Sequence, residues 1–118
     1  MIALKRAYEP AAADDGARIL IERLWPRGVK KTDLPLDAWI KDAAPSTELR
    51  KWFSHDPEKW PEFQRRYRAE LRQHPKALTP LRAAARQGRL TLIYSSHDSE
   101  HNNAVVLREV LQKPAAAT

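Results

Sequence analysis

The chain has 118 residues, 42% of them apolar and 31% charged, with a net charge of +6. That length suits one domain with its own core, and the absence of cysteine excludes disulfides, thiolate chemistry and cysteine-based zinc sites. The positive balance favours anionic partners. No apolar stretch follows a basic start and no run is long enough to span a bilayer, so the expectation is a cytoplasmic protein without membrane contact.

Residues 2–8 alternate as a strand, with Ile2, Leu4 and Tyr8 on one face. Residues 9–17 hold Pro10 and the turn signal Asp14-Asp15-Gly16 and predict a loop. Ile19-Leu20-Ile21, extended by Leu24, is nearly continuous in apolar residues, the pattern of a strand buried on both faces; Pro26 and Gly28 end it. Residues 34–44, anchored by Trp39 and Ile40, predict a short helix or a turn.

Pro45-Ser46-Thr47-Glu48 opens a helix that runs through Phe53, with Ser46 or Thr47 as N-cap. Asp56-Pro57 and Trp60-Pro61 restart helix, and Trp60, Phe63, Tyr67 and Leu71 share one helical face. Thr79-Pro80 predicts a cap followed by proline at the first helical position, with Gly88 as the stop. Residues 90–94 form the clearest strand, residues 95–103 a polar loop, and residues 104–112 a last helix capped by Asn102 or Asn103. Helices between the second and third of these strands permit a parallel crossover. The expected fold is α/β, a small, mainly parallel sheet covered by helices in a Rossmann-like three-layer arrangement. It spans residues 1–113, with a disordered tail over 114–118.

Two loops carry groups suited to chemistry. In open parallel sheets, ligands collect beyond the carboxyl ends of the strands, and both loops follow strands. The first contains Arg23, Trp25, Arg27 and Gly28. The arginines are permanent cations with planar donor forks that match carboxylate or phosphate. Trp25 offers a stacking face and Gly28 close backbone approach. The alternative is structural: Arg23 paired with Asp98 or a helix C-terminus, Trp25 in the core, and Pro26-Arg27-Gly28 a plain turn. The second loop contains Tyr94, Ser95, Ser96, His97 and Asp98. Ser95 and Ser96 precede the last helix, whose free N–H groups would bind an anion; the same hydroxyls and imidazole are the material of nucleophilic or acid–base catalysis. Capping is the competing explanation. His97 and His101 are spaced for a metal on a helix, but Glu does not directly follow the first His, so the zinc-protease pattern is missing and no metal or cofactor is expected.

Beyond these loops, Arg65, Arg66, Arg68 and Arg72 stud one helix, interspersed with Glu62 and Glu70. Such a face either tracks a phosphate backbone or is solvated surface. Four tryptophans are many for this length, and some are expected at a cleft or interface.

With these segments in view, the chain resembles the domain of unknown function 488 family, in its short YeaO-like bacterial members. The matching residues are Lys5-Arg6 with Tyr8 and Pro10, Asp15-Gly16, Arg18 to Ile21, Arg23 to Lys31, Pro45 to Phe53, and Leu90 to Ser95 with Asn102. The resemblance covers nearly the whole chain except the tail. It implies a compact α/β domain and assigns no activity. Because the block from Ser46 to Phe53 recurs in the family, the resemblance adds Arg50 and Trp52 to the candidates. Longer relatives carry a Cys-His-Arg stretch near the last strand; without cysteine, no thiol role carries over.

Three functions fit these residues. The first is binding of a small phosphorylated or nucleotide-like anion by Arg23, Trp25, Arg27, Gly28, Arg50, Tyr94, Ser95 and Ser96. The second is nucleic-acid binding through the same edge and the 65–72 face. The third is an enzyme acting on a phosphoester or nucleotide through Ser95, His97 or Asp98. The oligomeric state is not specified by these residues.

Overall fold

The computed structural model describes residues 1–113; the tail expected over 114–118 lies outside them. Four strands form one all-parallel sheet: β1 (Ile2–Arg6), β2 (Ala17–Leu20), β3 (Ala38–Trp39) and β4 (Leu90–Tyr94), in the order β1-β4-β2-β3. Leu92 of β4 stands beside Leu4 on one side and Ile19 on the other. Every residue of β4 is buried, which explains why its sequence is apolar at both even and odd positions. Four helices follow the same chain: α1 (Thr47–Phe53), α2 (Trp60–Arg72), α3 (Pro75–Gln87) and α4 (Asn103–Gln112).

The buried residues of all four helices join Ile19, Ile21, Leu90, Leu92 and Tyr94 in one core. The side chains that alternate to the opposite face, Leu20 and Ile93, are covered by Ala7 and by Leu34, Trp25, Val29 and Leu36. The layers are therefore helices, sheet and an irregular segment over residues 22–37. Tryptophan gives that third layer its bulk: Trp25 and Trp39 meet edge-on at 5.5 Å, and their indole N–H groups donate to the Val29 and Glu22 carbonyls.

Asp15 ties the connection between β1 and β2 to the sheet. Its carboxylate accepts from Lys5 Nζ, Arg18 Nη1 and the Ala12 amide, while its carbonyl accepts from Thr91 Oγ1. The next residue, Gly16, has φ +68°, and a Cβ there would lie 2.1 Å from the Arg89 carbonyl oxygen. Only glycine lets β2 begin so close to the chain entering β4.

Several expectations need correction. β1 ends at Arg6, so Tyr8 lies past the strand and is exposed. Residues 34–44 hold the short strand β3 and then a 3-10 turn over Lys41–Ala43; pairing of Ala38 with Ile19 overrides the local tendency. Helix α3 starts at Pro75, which takes the first helical position, so Thr79-Pro80 is interior and not a start. Helix α1 begins as expected, with Ser46 Oγ accepting from the Leu49 amide, and Asn102 caps α4 by accepting from the Val105 amide.

Candidate functional site

Because all four strands are parallel, the residues leaving β1, β2 and β4 emerge at one edge. There they enclose a cavity of about 280 Å³. Its walls come from both loops singled out above, from α1, and from the start of α4, including Glu22, Trp25, Arg27, Arg50, Phe53, Ser95, Ser96, His101, Asn102 and Asn103. Topology thus brings together segments more than 70 positions apart.

Each charged group is held by its element. Glu22 follows β2, and its Oε2 accepts from the Ser95 amide at 3.1 Å, which links the ends of β2 and β4. Burial pushes the Glu22 carboxyl up from its usual range, against the pull of the Ser95 donors and the Arg50 charge. Arg50 projects from the middle of α1. Its Nε is shut off from solvent and has no hydrogen-bond partner among the described residues. Arg27 sits at the outer lip with an exposed side chain, and its carbonyl accepts from Tyr8 Oη at 2.9 Å. Arg6 braces the same lip: it donates to the Ser96 carbonyl at 2.8 Å and lies over the Tyr8 ring at 4.8 Å.

Of the other predicted ligand-binding residues, Trp25, Ser95 and Ser96 line the cavity and the rest lie outside its lining. Arg23 turns away from the cavity; it donates to the Pro45 carbonyl at 3.1 Å and pairs with Asp42, and Asp98 is not its partner. Gly28 has φ +78°, a turn conformation that favours glycine, with no protein atom within 4 Å of where a Cβ would go, and it is not part of the cavity lining. Tyr94 is buried in the helical core. Ser95 and Ser96 line the cavity but do not form the helix start, because six residues separate Ser96 from α4; the Asn102 side chain already occupies that terminus. Trp52 lies outside the cavity, beneath Lys59 and Arg66.

The histidines do not form a serine triad. His97 Nδ1 receives a bond from Arg6 at 3.2 Å. His101 Nδ1 meets Asp98 Oδ2 at 2.9 Å while its ring lines the cavity and packs edge-on against Trp60. Donation from Nδ1 to that carboxylate leaves Nε2 as the free acceptor. The Glu100 and His101 amides hold the Asp98 carboxyl below its ordinary range. Among the described residues, no group of three or more His, Asp or Glu is placed to bind a metal ion.

Sequence reasoning passed over Glu22, Asn103 and Phe53. Only Glu22 left a local signal, a carboxylate directly after an apolar strand. Its burial depends on β4 lying beside β2.

Comparison with known proteins places the chain. The uncharacterized protein YeaO of Escherichia coli K12 is 48% identical over 111 residues, covering 94% of this chain and 96% of that protein. Uncharacterized protein Rv3073c of Mycobacterium tuberculosis H37Rv is 38% identical over 110 residues, or 93% of this chain and 92% of that one. No solved structure matches. The family model described as "Inactive DUF488-N3 subclade" matches residues 1–118. A family match over the whole chain and two relatives aligned over more than nine-tenths of it show the family: the chain belongs to the DUF488-N3 family, in its inactive subclade.

Proposed function

We propose that the cavity binds a small anion of the phosphorylated or nucleotide-like class. The observation that carries this reading is Arg50, a permanent cation whose Nε is buried at the cavity without a partner among the described residues. Leaving a buried charged donor unpaired costs well over the 1–3 kcal/mol of a neutral one, and an anionic acceptor removes that cost. Arg27 supports it from the lip: its side chain is outside every ion pair among the described residues. Position supports it too, since parallel sheets take ligands at this edge.

Binding is favoured over catalysis. The family description contains the word inactive, and among the described residues neither Ser95 nor Ser96 is hydrogen-bonded to an imidazole: His97 bonds to Arg6 and His101 to Asp98, and the Ser96 hydroxyl accepts from the Asp98 amide. Nucleic-acid binding by the 65–72 face is weakened by ion pairing: Glu62 holds Arg65 and Arg66, and Glu109 holds Arg68.

A thermal-shift panel of nucleotides, sugar phosphates, polyphosphates and oligonucleotides tests the reading. A ligand at a hundred times its Kd stabilises the fold by about 2.7 kcal/mol, which is several degrees for a domain of this size. At least one small phosphate should raise Tm, and Arg27→Ala should abolish the rise while changing the unliganded stability by less than about 0.5 kcal/mol, as for other exposed side chains. A rise with oligonucleotides alone, erased steeply by salt, contradicts the pocket. So does an unchanged response in Arg27→Ala and Arg50→Ala together.

A further inference from the structure

Glu22 is the feature that a plain anion site does not explain. A carboxylate in the same cavity as Arg27 and Arg50 repels a bare phosphate and weakens the field of the arginines. Glu22 is not consumed by an ion pair among the described residues; the Ser95 amide donates to its Oε2, and the Ser95 hydroxyl and Asn103 side chain lie close enough to favour its charged form. Oε1 therefore retains acceptor capacity inside a largely buried site. Trp25 and Phe53 supply apolar wall between the polar groups. The volume, about 280 Å³, sits at the small end of ligand pockets.

We propose that the ligand is bipolar: a small anion whose charged group meets Arg50 and Arg27 and whose amine or amide N–H donates to Glu22. This rests on the anion-binding reading above and narrows its ligand class. Burial strengthens the argument, because a carboxylate that loses its remaining water on ligand binding must gain a donor in exchange. A ligand with that donor satisfies both Glu22 Oε1 and Arg50; one without it closes off the half-buried Glu22 with Oε1 lacking a donor from the ligand. Discrimination through an unpaired buried group is large compared with discrimination through shape alone.

Two matched pairs of probes test the proposal: phosphoethanolamine against ethyl phosphate, and adenosine 5′-monophosphate against purine riboside 5′-monophosphate, which lacks the exocyclic amine. Affinities for the intact chain are measured by calorimetry in wild type, Glu22→Gln and Arg50→Gln. In at least one pair the amine-bearing member should bind tenfold or more tightly. Glu22→Gln should remove that preference, while Arg50→Gln should weaken both members alike. Equal binding within both pairs, or a preference that survives in Glu22→Gln, overturns the bipolar ligand and leaves the anion site standing. No binding by any probe, with no phosphate active in the thermal-shift panel, overturns both. Should Glu22→Gln fail to fold, Glu22→Asp, which keeps the charge but shortens the reach, should reduce the preference, and its persistence there overturns the proposal.

Discussion

Asp15 shows how much one buried carboxylate holds together. Its side chain is 5% exposed and that of Arg18 is 7% exposed, so the pair sits away from water. The Ala12 amide, foremost, and the Lys5 ammonium hold its carboxyl far below the usual carboxylate range, against the effect of burial. Arg18 extends the link by donating to the Pro35 carbonyl at 2.8 Å, which joins the segment after β1 to the segment before β3. Asp15→Ala strands two cations and should cost about 3–5 kcal/mol, the range for removing one partner of a buried pair, measured by urea unfolding. Because the folded pKa lies below the unfolded one, this stability is complete above about pH 5 and is lost as the pH falls through the ordinary Asp value of about 3.9 toward the lower folded value. Wild type should therefore lose stability on acidification more steeply than Asp15→Ala does. A substitution costing under about 1 kcal/mol would show the network to be incidental.

At the scale of elements, α3 is the clearest case of tertiary context overriding local signals. Pro80 lacks the N–H that would bond to the Lys76 carbonyl, and the helix continues past it because Leu78 and Leu81 are buried in the helical core. Thr79 Oγ1 donates to the Pro75 carbonyl at 3.3 Å, within the same turn. Pro80 is exposed, so Pro80→Ala restores the donor without disturbing the core and should raise stability by about 1–3 kcal/mol; a loss in thermal or urea unfolding would contradict this account of α3. What could be read locally follows from the same contrast. Strands β2 and β4 were legible because burial on both faces demands continuous apolar sequence, although β2 spans Ala17–Leu20 and Leu24, expected to extend it, is exposed beyond its end. The caps at Ser46 and Asn102 were legible because a cap is a local contact. Strand β3 was not, since two half-buried residues carry no periodicity and exist as a strand only through pairing with β2.

For the whole molecule, parallel topology is what makes a site. It gathers the ends of β2 and β4 with α1, so that Glu22, Arg27, Arg50 and Ser95 share one cavity although 73 positions separate Glu22 from Ser95. The candidate loops were visible because arginine, tryptophan and serine punctuate strand ends. Which residues face the cavity was not, because side-chain direction is set by partners distant in sequence. Asp42 and the Pro45 carbonyl draw Arg23 away, and the helical core takes Tyr94. The roles of Glu22 and Arg50 emerge only from that packing. Amide chemical-shift mapping of the ¹⁵N-labelled protein, titrated with adenosine 5′-monophosphate and phosphoethanolamine, tests the carboxyl-edge site most directly. The expected result is a saturable set of shifts confined to residues 22–27, 50–53, 95–96 and 101–103, missing in Arg50→Gln. Shifts centred on the 65–72 face, or no saturable shifts with either probe, would contradict it.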